Sequence, residues 1–273
     1  MKKQGYLYIA TGQKYIDEAV ISAESLKRLD PHANTCLITD SFYEHEVFDQ
    51  VIVHDTNTVF DQWKSALLLK IYGLLLSPFE KTLFVDSDTY FFDPCTELFD
   101  MLDYHDLLIG HDYSDDSELM IDGKCLANYT PYNTGVMAIR INETMKGVIS
   151  DWHDTYKKKF QEYWSDQPAL MDVLLRKPVK MYFLHTIYNF RHLVNIGILA
   201  GQKVKILHAR GSREDFQLLE KKLNHSTDQR AWIAPHSRVY TWPNRRGMKG
   251  YVKKLYSYLP DSIKKVYQKV RYR

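Results

Sequence analysis

Apolar residues recur along the first half of the chain in two alternating rhythms. Short runs of Tyr, Leu, Ile and Val at 5–11, 35–39 and 51–53 predict strands, the second of them closed by Asp40. Between the first two, Ile16, Ala19, Val20, Ala23 and Leu26 fall on one face at helical spacing and predict a helix over 15–29. A longer helical pattern over 60–76 carries Ala66, Leu67, Leu68, Leu69, Ile71, Leu74, Leu75 and Leu76, too apolar to lie anywhere but in the core. Strands follow at 82–85, 106–110, 132–139 and 203–208, the last ending in His208, and helices at 96–101, 144–160 and after 165, where Ser165 or Asp166 is the expected cap and Pro168 sits in the first turn. Strand and helix patterns in alternation predict βαβ units: an α/β protein with a mainly parallel, mixed sheet flanked by helices.

The pattern changes near the C-terminus. Val252, Leu255, Tyr256 and Leu259, then Ile263, Val266, Tyr267 and Val270, form two apolar stripes broken by Pro260. Of the 36 Lys and Arg residues, ten lie from Arg245 onward against the single acid Asp261, which leaves 26 basic and 33 acidic residues in the remainder. An acidic domain over 1–243 therefore carries a basic amphipathic helical tail over 244–273. Two helices packed on the domain or a nucleic-acid patch would also fit, but basic faces with aromatic margins suit an anionic membrane surface better, and no nucleic-acid partner is expected.

Length and composition narrow the class. At 273 residues with 45% hydrophobic content the chain can bury one large core, and nothing in it predicts disorder. Cys36, Cys95 and Cys125 are odd in number and far apart, against a disulfide framework or a zinc site and toward a reducing compartment. A strand-like run directly follows Met1-Lys2-Lys3-Gln4, so neither a signal peptide nor a spanning helix is expected, and the sequons at Asn128, Asn142 and Asn224 read as chance. The expected location is cytoplasmic, peripheral on the cytoplasmic face of a membrane.

Candidate chemistry centres on residues 83–94, Leu-Phe-Val-Asp-Ser-Asp-Thr-Tyr-Phe-Phe-Asp-Pro. A buried strand running into Asp86 and Asp88 presents two carboxylates at its carboxyl edge, where open α/β sheets bind ligands. Strand alternation would put both on one side, where their repulsion calls for a hard cation with oxygen ligands, Mn2+ or Mg2+. The plainer reading is a capped turn. Lys70, inside the apolar helix, either snorkels to solvent or meets a phosphate or sugar. Gly135, after Asn133 and Thr134 at a strand start, lets backbone approach a ligand closely, or marks a bulge.

Together the segment 81–94 and the run Tyr132-Asn133-Thr134-Gly135-Val136 resemble the D-x-D and Asn-Ser/Thr-Gly-Val signatures of GT-A fold glycosyltransferases. They are most similar to the retaining family numbered eight, which includes glycogenin and the bacterial lipopolysaccharide galactosyl- and glucosyltransferases. The likeness spans roughly residues 5–215 through five motifs in order. It implies that Asp86 and Asp88, around Ser87, hold Mn2+ (or Mg2+) on the diphosphate of a UDP-sugar, that Lys70 contacts the donor, and that Asn133 hydrogen-bonds the transferred sugar. Asp166 and Gln167 match a pair facing the anomeric centre, and Asp112 a region near donor and acceptor. Ile9, Thr11 and Tyr15 match the uracil site, with Gly12 where the family has Asn. His208 matches the third metal ligand and Gly211 a diphosphate contact, but Glu214 stands where the family has Lys, so that Arg210 or Arg213 would supply the cation.

The resulting expectation is a metal-dependent glycosyltransferase that moves glucose or galactose from a UDP-sugar to a hydroxyl of a glycan or glycolipid. The alternatives are a non-catalytic sugar-nucleotide-binding protein on the same scaffold and, further off, a haloacid-dehalogenase-type phosphohydrolase. Tyr90 stands against the latter, two residues beyond Asp88 where that class has Thr or Val.

Overall fold

The computed structural model describes residues 2–54, 62–112, 130–191 and 201–226, short strands at 119–121, 124–126, 196–199, 229–233 and 238–242, and residue 260. In chain order the first half runs β1 (Lys2–Ile9), α1 (Gln13–Leu29), β2 (Thr35–Thr39), β3 (Gln50–Val53), α2 (Gln62–Gly73), β4 (Phe79–Val85), β5 (Thr89–Phe91), α3 (Glu97–Met101) and β6 (Leu107–His111). There follow β7 (Leu119–Ile121), β8 (Lys124–Leu126), β9 (Tyr132–Arg140), α4 (Glu143–Thr155), α5 (Gln167–Leu174), β10 (Met181–Phe183), β11 (Ile196–Leu199), β12 (Ile206–His208), α6 (Arg213–Asn224), β13 (Gln229–Ile233) and β14 (Arg238–Trp242). The expected tail over 244–273 lies outside the described residues apart from Pro260.

Seven strands form the main sheet in the order β10-β6-β9-β4-β1-β2-β3. Neighbours are parallel except that β9 runs antiparallel to both β4 and β6, which is the mixed, mainly parallel sheet expected from the sequence. Alternation along the strands feeds two cores. Tyr6, Tyr8, Leu83 and Val85 pack with Ile16, Ala19, Val20, Ala23 and Leu26 of α1 and with α3 on one face. Leu7, Phe84 and Met137 pack with α2, α4 and α5 on the other. Both faces being covered, the central strands read as continuous apolar runs.

A smaller layer decides where the site falls. β5 leaves the main sheet and pairs antiparallel with β12, and Tyr90, Phe92, Phe190, Leu207, Phe216, Leu223 and Trp232 close around that ribbon. Helix α1 is fastened to β5 through buried hydroxyls: Ser25 Oγ accepts from Phe91 N–H at 2.8 Å, and Ser22 and Thr89 hydroxyls lie 2.8 Å apart. Two of the sequons have structural duties. Asn142 caps α4 by accepting from Met145 N–H at 2.9 Å, and Asn224 exchanges two hydrogen bonds with the backbone of Val204.

The helix expected over 60–76 is α2 from Gln62, tightening into a 3-10 turn at Leu74–Leu76, with Phe60 and Asp61 outside the described residues. That expected over 144–160 is α4 continued by a π-helical turn at Tyr156–Phe160. Cys36 and Cys95 are buried and free. Leu83, fully buried at the middle of β4, is a measure of how far the sheet carries stability. Replacing it by Ala is expected to cost about 2–5 kcal/mol in urea unfolding at an unchanged m-value; a loss under about 1 kcal/mol would show that β4 is not the centre of the core.

Candidate active site

β4 ends at Val85, and the acid pair occupies the turn that follows, so Asp86 and Asp88 owe their common direction to that turn rather than to strand alternation. Two hydrogen bonds set it: Asp86 N–H donates to Gly135 O at 2.7 Å, and Thr89 Oγ1 donates to Asp86 O at 2.9 Å. The chain then enters β5, whose register with β12 places His208 opposite Thr89, and Ala209 N–H donates to Asp88 O at 2.8 Å. Backbone pairing thus delivers an imidazole from far downstream. His208 Nε2 lies 3.3 Å from Asp88 Oδ1 and 3.9 Å from Asp86 Oδ2. One ligand atom from each of the three residues falls within 4.8 Å of the others, and two carboxylates with one imidazole are a donor set that suits Mn2+ or Mg2+ with open positions left for substrate oxygens.

Lys70 neither snorkels out nor waits alone for a phosphate. Its ammonium turns inward from α2, 2.9 Å from Asp86 Oδ1, 3.2 Å from Thr134 Oγ1 and 3.7 Å from Asp166 Oδ2. Burial pushes the lysine toward neutrality, but Asp166 and Asp86 outweigh it and hold the ammonium above its ordinary range. Burial also raises the Asp86 carboxyl, and Lys70 and His208 offset this only in part. At Asp88 burial acts in the same sense but is overcome by the hydrogen bond and charge of His208 and by Arg210, leaving that carboxyl well below the carboxylate range.

Asp166 stands at the start of α5, yet its side chain does not cap the helix. Gln167 N–H donates instead to Ser165 Oγ at 3.1 Å, and this frees the aspartate. Its Oδ1 accepts from Thr134 Oγ1 at 2.9 Å, and Oδ2 is buried without a hydrogen-bond donor among the described residues, facing Lys70. Trp152 Nε1 donates to Asp166 O at 2.9 Å and fixes the backbone there.

On the far side Asp112 gathers donors that include Arg191 Nη1 at 2.5 Å, Asn133 Nδ2 at 3.1 Å and Gln167 Nε2 at 3.2 Å. At the other end Tyr15, from the first turn of α1, lies under Arg210, whose guanidinium carbon is 5.2 Å from the ring centre. Arg210 also meets Asp88 Oδ2 at 3.3 Å and Glu18 Oε1 at 3.2 Å, while Ser87 Oγ donates to Glu18 Oε2 at 3.3 Å. Gly12, in place of the expected Asn, has φ 76°, outside the range comfortable for other residues.

Most of these groups line one open cleft of about 340 Å3, a volume in the range of small-ligand sites, while Gly12, Glu18 and Trp152 stand behind its wall. Ile9, Thr11, Tyr15, Lys70, Asp86, Ser87, Asp88, Asp112, Asn133, Asp166, Gln167, His208 and Arg210 all contribute to its wall. Gly211 and Arg213 do not. A Cβ at Gly211 would meet the Phe216 ring, and Arg213 is drawn away by Glu24 of α1. Of the two arginines considered for the absent lysine, Arg210 is the one at the cleft, and Glu214 belongs to the first turn of α6.

Sequence reading missed Glu18, Trp63, Thr134, Trp164 and Arg191, all of which line the cleft or touch its wall. Trp63 and Trp164 sit at the rim, with Trp63 Nε1 donating to Trp164 O at 3.1 Å. Trp164, two residues before the Asp166-Gln167 pair, was a readable signal; Trp63, brought there by folding, and Arg191, in irregular chain, offered none.

Comparison with known proteins accords with this geometry. The family described as nucleotide-diphospho-sugar transferase matches residues 33–217. No curated protein sequence matches the chain significantly. Among solved structures, the glycosyltransferase GlyE of Streptococcus pneumoniae TIGR4 is similar at 16% identity and TM-score 0.55 over 78% of this chain, which spans only 55% of GlyE. The galactosyltransferase LgtC, solved with donor and acceptor sugar analogues, is similar at 14% identity and TM-score 0.58 over 80% of this chain and 96% of its own. Mouse xyloside xylosyltransferase 1 is similar at 14% and 0.51 over 78% of this chain and 98% of its own.

Gly135 is where the cleft wall is tightest. A Cβ there would stand 2.2 Å from His208 Cε1 and 2.7 Å from its Nδ1, so the ligand that requires the missing side chain is the protein's own imidazole. Gly135→Ala is expected to push His208 from the acid pair and weaken Mn2+ binding by about tenfold or more, followed by the electron paramagnetic resonance of free Mn2+, with the far-ultraviolet spectrum unchanged. An unaltered Mn2+ affinity would contradict the role of that contact.

Proposed function

Since the chain belongs to the nucleotide-diphospho-sugar transferase family, whose members are glycosyltransferases of the GT-A fold, we propose that it transfers a hexose, glucose or galactose, from a UDP-sugar to a hydroxyl of a glycan or glycolipid with retention at the anomeric carbon. The observation that carries this reading is the convergence of Asp86, Asp88 and His208 on the same cleft as Lys70 and Asp166. Asp86, Asp88 and His208 would hold Mn2+ or Mg2+, which supplies positive charge that stabilises UDP as it departs. Lys70 and Arg210 add fixed cations on either side of the acid pair. Tyr15 offers a ring face to the base, with Thr11 and Ile9 beside it. Asn133 and Gln167, both anchored on Asp112, present polar groups to the sugar, and Asp166 supplies a buried carboxylate next to the reacting region. Trp63 and Trp164, on the rim beside Gln167, offer apolar ring faces to an acceptor saccharide. The phosphohydrolase alternative falls away with the family assignment.

A screen of UDP-, GDP- and CMP-sugars for Mn2+-dependent hydrolysis tests the donor, and the anomeric form of the first sugar released tests the stereochemistry. UDP-glucose or UDP-galactose with retention is expected, and turnover that ignores chelation of divalent ions would sink the proposal. Asp88→Asn is expected to keep the fold and lower turnover by about 10²–10³-fold; activity within threefold of the parent would discredit the acid pair.

We further propose that residues 244–273 form a basic segment that lies on the cytoplasmic face of a membrane. The excess of ten cations over one acid supports this, each cation near an anionic surface contributing about 1 kcal/mol. Among the described residues no helix is long and apolar enough to cross a membrane. Cosedimentation with phosphatidylglycerol vesicles is expected to fall with salt and to vanish on deleting 244–273, with donor hydrolysis retained. Equal binding by the shortened chain would refute the assignment.

A further inference from the structure

His208 can contribute to a cation site only through Nε2, because that is the nitrogen facing the acid pair. Which nitrogen carries hydrogen is decided on the opposite side of the ring, through a chain of buried amides. Asp112, paired with Arg191, can only accept, so Asn133 turns its Nδ2 toward it, at 3.1 Å. The Gly135 N–H can only donate, and it meets Asn133 Oδ1 at 2.9 Å. Asn133 is therefore oriented independently from both ends. Its Oδ1 faces Asn189 Nδ2 at 2.8 Å, which turns Asn189 Oδ1 toward His208 Nδ1 at 2.9 Å. An oxygen there demands a hydrogen on Nδ1. The imidazole is thereby left to present Nε2 to Asp86 and Asp88, while the missing Cβ of Gly135 leaves space for Cε1.

We propose that Asn189 is a positioning residue for the divalent-cation site: by accepting from His208 Nδ1 it fixes the ring's hydrogen and its direction, and so commits Nε2 to the cation. Asn189 touches neither carboxylate of the pair. It is held by the 3-10 turn Thr186–Tyr188, where its N–H donates to Thr186 O at 3.2 Å, and by the bridge of Phe190 to Leu207 next to it. The same local structure therefore sets both the amide and the strand that bears His208. The polar chain runs from Arg191 through Asp112, Asn133 and Asn189 to His208, so it ties the wall assigned to the sugar to the residue assigned to the cation. The inference rests on the cation site of the proposed function and assigns a residue that nothing in the family resemblance pointed to.

The test is a double-mutant cycle on Mn2+ affinity, read by electron paramagnetic resonance of free Mn2+ and needing no donor sugar. Asn189→Leu, which fills similar space without an acceptor, is expected to weaken Mn2+ binding about 10–100-fold, the usual cost of losing a support behind a metal ligand. His208→Ala should weaken it at least as much, and adding Asn189→Leu to His208→Ala should change nothing further, because the asparagine acts only through the ring. In the metal-free parent the nitrogen-15 shifts of the His208 ring should show hydrogen on Nδ1, which reads the same contact should the leucine variant fail to fold. Asn189→Leu binding Mn2+ like the parent, an additive loss in the His208→Ala background, or an Nδ1 without hydrogen overturns the proposal while leaving the cation site standing. Unchanged Mn2+ binding in His208→Ala would instead overturn the site itself, and the proposal with it.

Discussion

Everything in the cleft depends on keeping buried negative charge in company. Asp86, Asp112 and Asp166 are withdrawn from water to different degrees, and each is met by a cation or donor from another part of the chain: Lys70 from α2, Arg191 from the segment after β10, Thr134 from β9. Desolvating a carboxylate costs several kcal/mol unless such partners are in place, so these elements must dock together for any one of them to be tolerated. This explains why α2 carries a lysine in the midst of its leucines. The ammonium belongs to the core because the core contains the acids.

That interdependence also sets what could be read from the residues alone. The sheet was legible because burial on both faces makes its strands plain apolar runs: the run at 35–39 is β2 and the pattern over 15–29 is α1 with its expected face inward. The acid pair was legible because a buried apolar run led straight into it and a second short apolar run followed, which is more than a capped turn needs. Its geometry was less so. Alternation along an imagined strand gave the right common direction for Asp86 and Asp88 for the wrong reason, since a turn held by Gly135 O and Thr89 does the work. The likeness to a known family reached His208, and only the folded chain shows that three residues of pairing between β5 and β12 carry it there.

What stayed hidden is irregular. Arg191 and Asn189 lie in chain with no periodicity, and their importance arises from hydrogen bonds to residues distant in sequence. The small sheet of β11, β13 and β14 was likewise unannounced by any clear alternation. Arg210 and Arg213 were indistinguishable as sequence. Three positions further along, the start of α6 turns one toward Glu24, whereas the end of β12 leaves the other beside Asp88.

One quieter feature is the π-helical turn Tyr156–Phe160 that prolongs α4. Such a turn holds one more residue than an ordinary helical turn. Tyr156 and Phe160 are both buried within it, while Trp152, one turn earlier, grips the backbone of Asp166. The surplus residue thus works as a spacer of counted length. Excising it would rewind the peptide by about 100°, swinging the segment that bears Asp166 and Gln167 out of phase with the rest of the cleft, so this stretch should tolerate exchange of side chains far more readily than any change in their number.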